Sequence, residues 1–93
     1  MKYIITDRDE AVVGTGFHAD LAKLCKGKVI RAGHCNRRTD GTFDVSGWSV
    51  GFDIDAKPED AEILKRLIGP ATPEEMRTGY AQSANVIPPS QGV

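Results

Sequence analysis

Apolar and polar residues along this chain follow two periods, and the helical one is clearest between Asp53 and Pro70. There Ala61, Leu64 and Ile68, flanked by Ile63 and Leu67, form a single apolar stripe. Pro58 suits the first helical position, where a missing N–H costs nothing. Glu59 and Asp60 place negative charge at the positive end of the helix dipole, and Lys65 and Arg66 suit its negative end. Gly69 and Pro70 stop the helix. A helix with one apolar side needs a sheet to cover.

The rest of the chain supplies that sheet. Tyr3, Ile4, Ile5 and Thr6 favour a strand, the charged stretch Asp7 to Glu10 a turn, and Ala11 to Val13 a second strand, which together predict a hairpin. Phe17, Leu21, Leu24 and Cys25 recur at helical spacing before Gly27, so a short helix follows. Lys28 to Cys35 is a third strand, and Asp40-Gly41 marks a tight turn before the run from Thr42 to Ile54. Within that run Trp48, Val50, Phe52 and Ile54 alternate with smaller or polar residues, which predicts an apolar face forming the floor of the core under the Pro58 helix. Phe43 and Val45 lie in the opposite phase, so a bulge is expected at Ser46-Gly47.

The order β-β-α-β-β-α predicts an α+β fold, a mostly antiparallel four-stranded sheet with helices packed on one face. Residues 1–70 would form the single domain, and residues 71–93 a short helical turn followed by a flexible tail. In that second part Thr72-Pro73-Glu74-Glu75 spells a capping box, with Gly79 ending the helix after a turn or two. From Gln82 onward the chain is small, polar and proline-containing, with Val86 and Ile87 as its anchors, which suits a free tail or a docking peptide.

Composition changes the picture little. Ninety-three residues, 40% hydrophobic and 27% charged, with a net charge of −1, fit one ordinary globular domain and name no partner by bulk charge. No apolar run approaches the ~20 residues that cross a bilayer, and MKYIITDRDE lacks the apolar core of a secretory signal, so a cytoplasmic setting is expected. Cys25 and Cys35 would stay reduced there.

Each candidate chemistry meets an objection. Gly14-Thr15-Gly16-Phe17-His18-Ala19 matches G-x-G-x-x-A between a strand and a helix, a pattern that seats a pyrophosphate. A dinucleotide fold also needs a parallel sheet and an acid after the next strand, whereas that strand ends Gly33-His34-Cys35-Asn36. His18, Cys25, His34 and Cys35 are enough in number for zinc, but adjacent strand residues such as His34 and Cys35 point to opposite faces. A Cys35 nucleophile with a His18 base lacks a third group to orient it. Asp53 and Asp55 offer a cation a place to visit, although acids in the first turn of the next helix account for the local charge. No metal site, cofactor or catalytic residue is therefore expected.

Charge is polarised, with Lys23, Lys26, Lys28, Arg31, Arg37 and Arg38 early and Asp53, Asp55, Glu59, Asp60 and Glu62 later. The hairpin bearing Lys28, Arg31, Arg37 and Arg38 is the candidate binding face, for a protein partner, for self-association or for a phosphate backbone. A solvated polar face explains the same residues.

The segments AGHC, DGTFDVSGWSVGFDI and KPEDAEIL resemble a group of small uncharacterised proteins encoded by phages and prophages. In that group a strand containing AG precedes a G-x-S-x-G strand and a PEDA helix. The matching residues here are Ala32, Gly33, Gly47, Ser49, Gly51, Pro58, Glu59, Asp60 and Ala61. His34 to Arg38 depart from the pattern by their polarity. The resemblance implies phage or prophage origin and no known activity. The expectation is then a non-enzymatic interaction or accessory protein with a protein partner. The alternatives are a nucleic-acid or nucleotide binder, followed by a small metal-binding or hydrolytic protein.

Overall fold

The computed structural model describes residues 1–86. Strands β1 (Lys2–Thr6), β2 (Ala11–Gly14), β3 (Val29–Arg37), β4 (Phe43–Ser46) and β7 (Ala81–Gln82) form one five-stranded sheet in the order β4-β3-β1-β2-β7. Every pairing in it is antiparallel. A separate ribbon joins β5 (Trp48–Ser49) to β6 (Ile54–Asp55). Helices α1 (His18–Ala22), α2 (Asp60–Leu67) and α3 (Pro73–Thr78) complete an α+β fold.

Both predicted hairpins form. In the first, Thr6 N–H donates to the Glu10 carbonyl and Ile5 faces Ala11. In the second, Arg37 faces Phe43, and Gly41 N–H donates to the Arg38 carbonyl to close the turn. Gly41 adopts φ +92°, open to glycine at little cost.

Alternate residues of the strands build two cores. On one face Tyr3, Ile5, Ala11, Val13, Cys35 and Phe43 are buried with Leu64 of α2, and Ala61, Ile63, Leu67 and Ile68 pack around them. On the other, Ile4, Val12 and Ala32 are buried with Leu21 of α1 and with Val86. The helices therefore divide between the two faces instead of sharing one, because β1 and β2 are apolar at consecutive positions and each face needs a cover.

The run from Thr42 to Ile54 is where the sequence misleads. Phe43, Val45 and Ile54, not Trp48 and Val50, supply its core contacts: Phe43 is buried, Val45 packs against the α2-side core and Ile54 against the α1-side core. Gly47 takes φ +73°, a left-handed conformation that ends the ladder, so the expected bulge becomes a departure from the sheet. The chain then folds back on itself through 50–53, with Asp53 at φ +54°. Trp48 is 49% exposed and Val50 73% exposed. The predicted apolar floor beneath α2 does not exist, and α2 rests on β1 to β4 instead.

The domain also runs past residue 70. The Thr72 hydroxyl accepts from Glu75 N–H and the Glu75 carboxylate accepts from Thr72 N–H, so the predicted capping box starts α3. Gly79 ends the helix, and β7 adds a fifth strand beside β2. Ser83 N–H and Oγ bond to the backbone of Ala11, and Val86 is buried. The segment through Val86 thus belongs to the domain; the remainder of the expected tail, 87–93, lies outside the described residues.

A buried polar anchor pins α2 to the sheet. Asp60 is fully buried, and its carboxylate accepts from the Tyr3 hydroxyl, from Lys57 N–H at 3.1 Å and from Arg31 Nη1 at 2.8 Å. Burial, reinforced by the Asp60 hydrogen bond, drives the Tyr3 hydroxyl pKa up, so the phenol keeps its proton and remains a donor.

Candidate functional site

The four basic residues singled out from sequence do not make one free basic face. Arg31 is committed to Asp60, with Glu59 at 3.6 Å. Arg37 has a side chain only 4% exposed, donating to the Gly69 and Pro70 carbonyls, with Glu75 at 3.4 Å. Arg38 pairs with Asp44 in the hairpin. Lys28 alone is exposed without an ion pair among the described residues. Alternation along β3 explains this: from position 31 onward the odd residues face α2, so Arg31 and Arg37 are drawn into the seam beside it.

The other candidates separate as well. Cys35 lies in the core under α2 and Cys25 packs in the core on the opposite side, so the two cannot bridge. Burial pushes both thiols up to about 11, well away from a reactive thiolate. His18 belongs to the α1 side and is no base for Cys35. Among the described residues no three His, Cys, Asp or Glu side chains stand close enough to hold a metal ion. Gly14 lies in an antiparallel strand, so the glycine pair does not head the parallel unit that a dinucleotide requires. Two motif residues of the phage resemblance have structural roles: a Cβ on Gly33 would come within 2.8 Å of Ala56 Cβ, and Asp60 is the buried anchor.

What the structure does gather is a cleft of about 490 Å³ on the α1 side of the sheet. Its wall begins with Phe17, the residue capping the N-terminal end of α1. A phenylalanine there cannot accept the hydrogen bonds that Ser, Thr, Asp or Asn would accept, and no side-chain cap bond is made. Phe17 is 72% exposed instead, with Lys2 Nζ 5.1 Å from its ring centroid. The facing wall is the β5–β6 ribbon, which contributes Trp48, Val50 and Gly51.

Between the walls lie two histidines. Lys2 and His34 are register partners on β1 and β3, which places both on the α1 face. His18 is buried, and its Nε2 is 2.8 Å from the Gly33 carbonyl. A carbonyl only accepts, so Nε2 carries the proton. The two rings meet edge to face with centroids 5.7 Å apart. Burial, followed by the nearby His34 and Lys2, outweighs the Gly33 bond and lowers the His18 pKa, so the ring is held neutral. Gly47 lets the ribbon pass close by, since a Cβ there would sit 2.8 Å from His34 Cδ2.

One polar atom in the ribbon has no partner among the described residues: Ser49 Oγ is buried and unbonded, a local cost of about 1–3 kcal/mol. The ribbon is thus not optimised for stability alone. Sequence reasoning missed Phe17, Trp48 and Val50 as a cleft because all three fit apolar periodicities. The usable signals were an aromatic where a helix start favours an oxygen, and Gly47 and Gly51 bracketing a short segment. Among the described residues no helix is long and apolar enough to cross a membrane. Compared with protein-family models, curated proteins and solved structures, the chain matches none of them.

Proposed function

We propose that this chain is a non-enzymatic accessory protein that holds a protein partner in the cleft between Phe17 and the Trp48–Val50 ribbon. The phage or prophage origin implied by the sequence resemblance is part of the same proposal. One observation carries it: Phe17, Trp48 and Val50, three large apolar side chains left substantially in water, line a single concavity. Exposed apolar groups scattered singly need no explanation, but a concave cluster of them is typical of docking surfaces, whose binding energy concentrates in buried aromatic anchors. The engaged arginines weigh against a nucleic-acid partner, which needs an extended basic track.

Affinity capture tests the proposal, run with the native chain and with a Phe17→Ser, Trp48→Ser variant whose fold is verified by circular dichroism. The expected result is a partner retained by the native chain and lost by the folded variant. A partner retained equally by both would overturn it. So would a single-stranded oligonucleotide that binds tightly at low salt and is released as salt rises.

A further inference from the structure

The rim of this cleft is apolar, but its floor is basic. Lys2 comes from β1, His18 from α1 and His34 from β3, while the ribbon residues Trp48, Val50 and Gly51 carry no charge and no Asp or Glu lines the cleft. On the ribbon, Asp55 is the register partner of Trp48 and Asp53 lies in the turn before it, and both stand outside the cleft lining; the acids on α1 and β4 are taken up. Asp20 on α1 pairs with Lys23, and Asp44 on β4 pairs with Arg38. Neither Lys2 nor His34 makes an ion pair among the described residues, and Lys2 Nζ rests over the Phe17 ring.

Lys2 and the two histidines crowd together without a counter-charge, so a proton on His18 meets repulsion from its neighbours on top of the burial that chiefly keeps this ring neutral. A negative group entering between them removes that repulsion and gains an ammonium donor at once. It also gains an imidazolium donor whenever it draws a proton onto His18. With His18 Nε2 committed to the Gly33 carbonyl, Nδ1 is the nitrogen left for that proton. The apolar walls lower the local dielectric and strengthen the attraction. A phosphate chain would satisfy the floor as well. However, a single lysine and a net charge of −1 give no track along which such a polymer could run.

We infer that the partner segment entering this cleft presents a carboxylate side chain beside an aromatic or branched apolar one. The acid meets Lys2, His18 and His34, and the apolar group packs between Phe17, Trp48 and Val50. This rests on the cleft being a protein-docking site and adds the chemistry of what docks.

The test titrates the full chain, at low salt, with N-acetyl-Asp-Phe-amide and with N-acetyl-Asn-Phe-amide. Fluorescence of Trp48, the single tryptophan, reports binding, and amide NMR shifts locate it. The acidic peptide is expected to shift Phe17, His34 and Trp48 and to bind about tenfold more tightly than its amide twin, the difference that one charge-assisted contact supplies. A Lys2→Met, His34→Leu variant keeps the apolar rim and is expected to bind both peptides weakly and alike. Equal affinities of the native chain for the two peptides would overturn the inference, as would a preference that survives in the variant. So would the absence of any shift at the cleft, or a thymidine oligonucleotide that binds there more tightly than the acidic peptide. The capture experiment judges the docking proposal separately. If capture still depends on Phe17 and Trp48 while the acid preference is missing, only the acidic chemistry fails.

Discussion

The two faces of the sheet are written in the same strands, yet one is sealed and the other is left open. Under α2, Tyr3, Ile5, Val13, Cys35 and Phe43 close around Leu64, and Asp60 is satisfied by three donors. Under α1, Ile4, Val12, Ala32 and Leu21 are equally buried. That cover is only five residues long, and beyond it Lys2, His34, Phe17 and the ribbon border open space. The difference teaches that strand alternation decides what points where, while the length of the covering element decides what stays wet.

That contrast can be broken from its sealed side first. Asp60→Ala should cost about 3–5 kcal/mol in urea unfolding, because it leaves the buried Tyr3 hydroxyl without its acceptor and Arg31 with only Glu59, at 3.6 Å, to pair with. A loss below about 1 kcal/mol would mean that the α2 seam is not the anchor described. Leu64→Ala comes next, at about 3 kcal/mol, since a fully buried leucine leaves a cavity between α2 and four strands.

The open side should respond mainly to pH and to ligands. Because the fold lowers the His18 pKa, the unfolded chain takes up that proton first as pH falls. Stability from this site is therefore complete above the ordinary imidazole value of about 6.5, and it is lost as pH falls from there through the lowered native value. Unfolding midpoints at pH 7 and pH 5 should differ less in His18→Gln than in the native chain; an unchanged difference would exclude His18 as the cause. The smallest effect is Trp48→Ala, at about 1 kcal/mol or less, since the residue is already half exposed. A cost of 3 kcal/mol or more, which the sequence-based reading of Trp48 as core would require, would place the ring in the interior and abolish the cleft.

Most of the sealed face could be read in advance, because its signals are local and agree with one another. The helix expected from Pro58 to Ile68 and found over Asp60–Leu67, the two hairpins and the Thr72–Glu75 capping box each sit within a few residues of their own evidence. The open face could not. Whether Trp48, Val50, Phe52 and Ile54 belong to one strand or to a folded ribbon depends on Gly47 adopting a left-handed conformation, which the sequence permits without requiring. Likewise Arg31 and Arg37 read as free cations until pairing of β3 with β1 and β4 directs them toward α2. The cleft shares this difficulty, since its residues come from positions 2, 17–19, 34, 48, 50 and 51, and only the tertiary fold brings them together.

The sheet's outermost strands carry a last consequence. β4 spans four residues before Gly47 turns the chain away, and β7 spans two. Rims this brief offer a stranger's backbone few amides and carbonyls for lateral growth, which is one of the ways a sheet is protected from edge-to-edge pairing. Association with other molecules is thereby left to side chains, where chemistry can discriminate, rather than to main-chain pairing, which is indifferent to sequence.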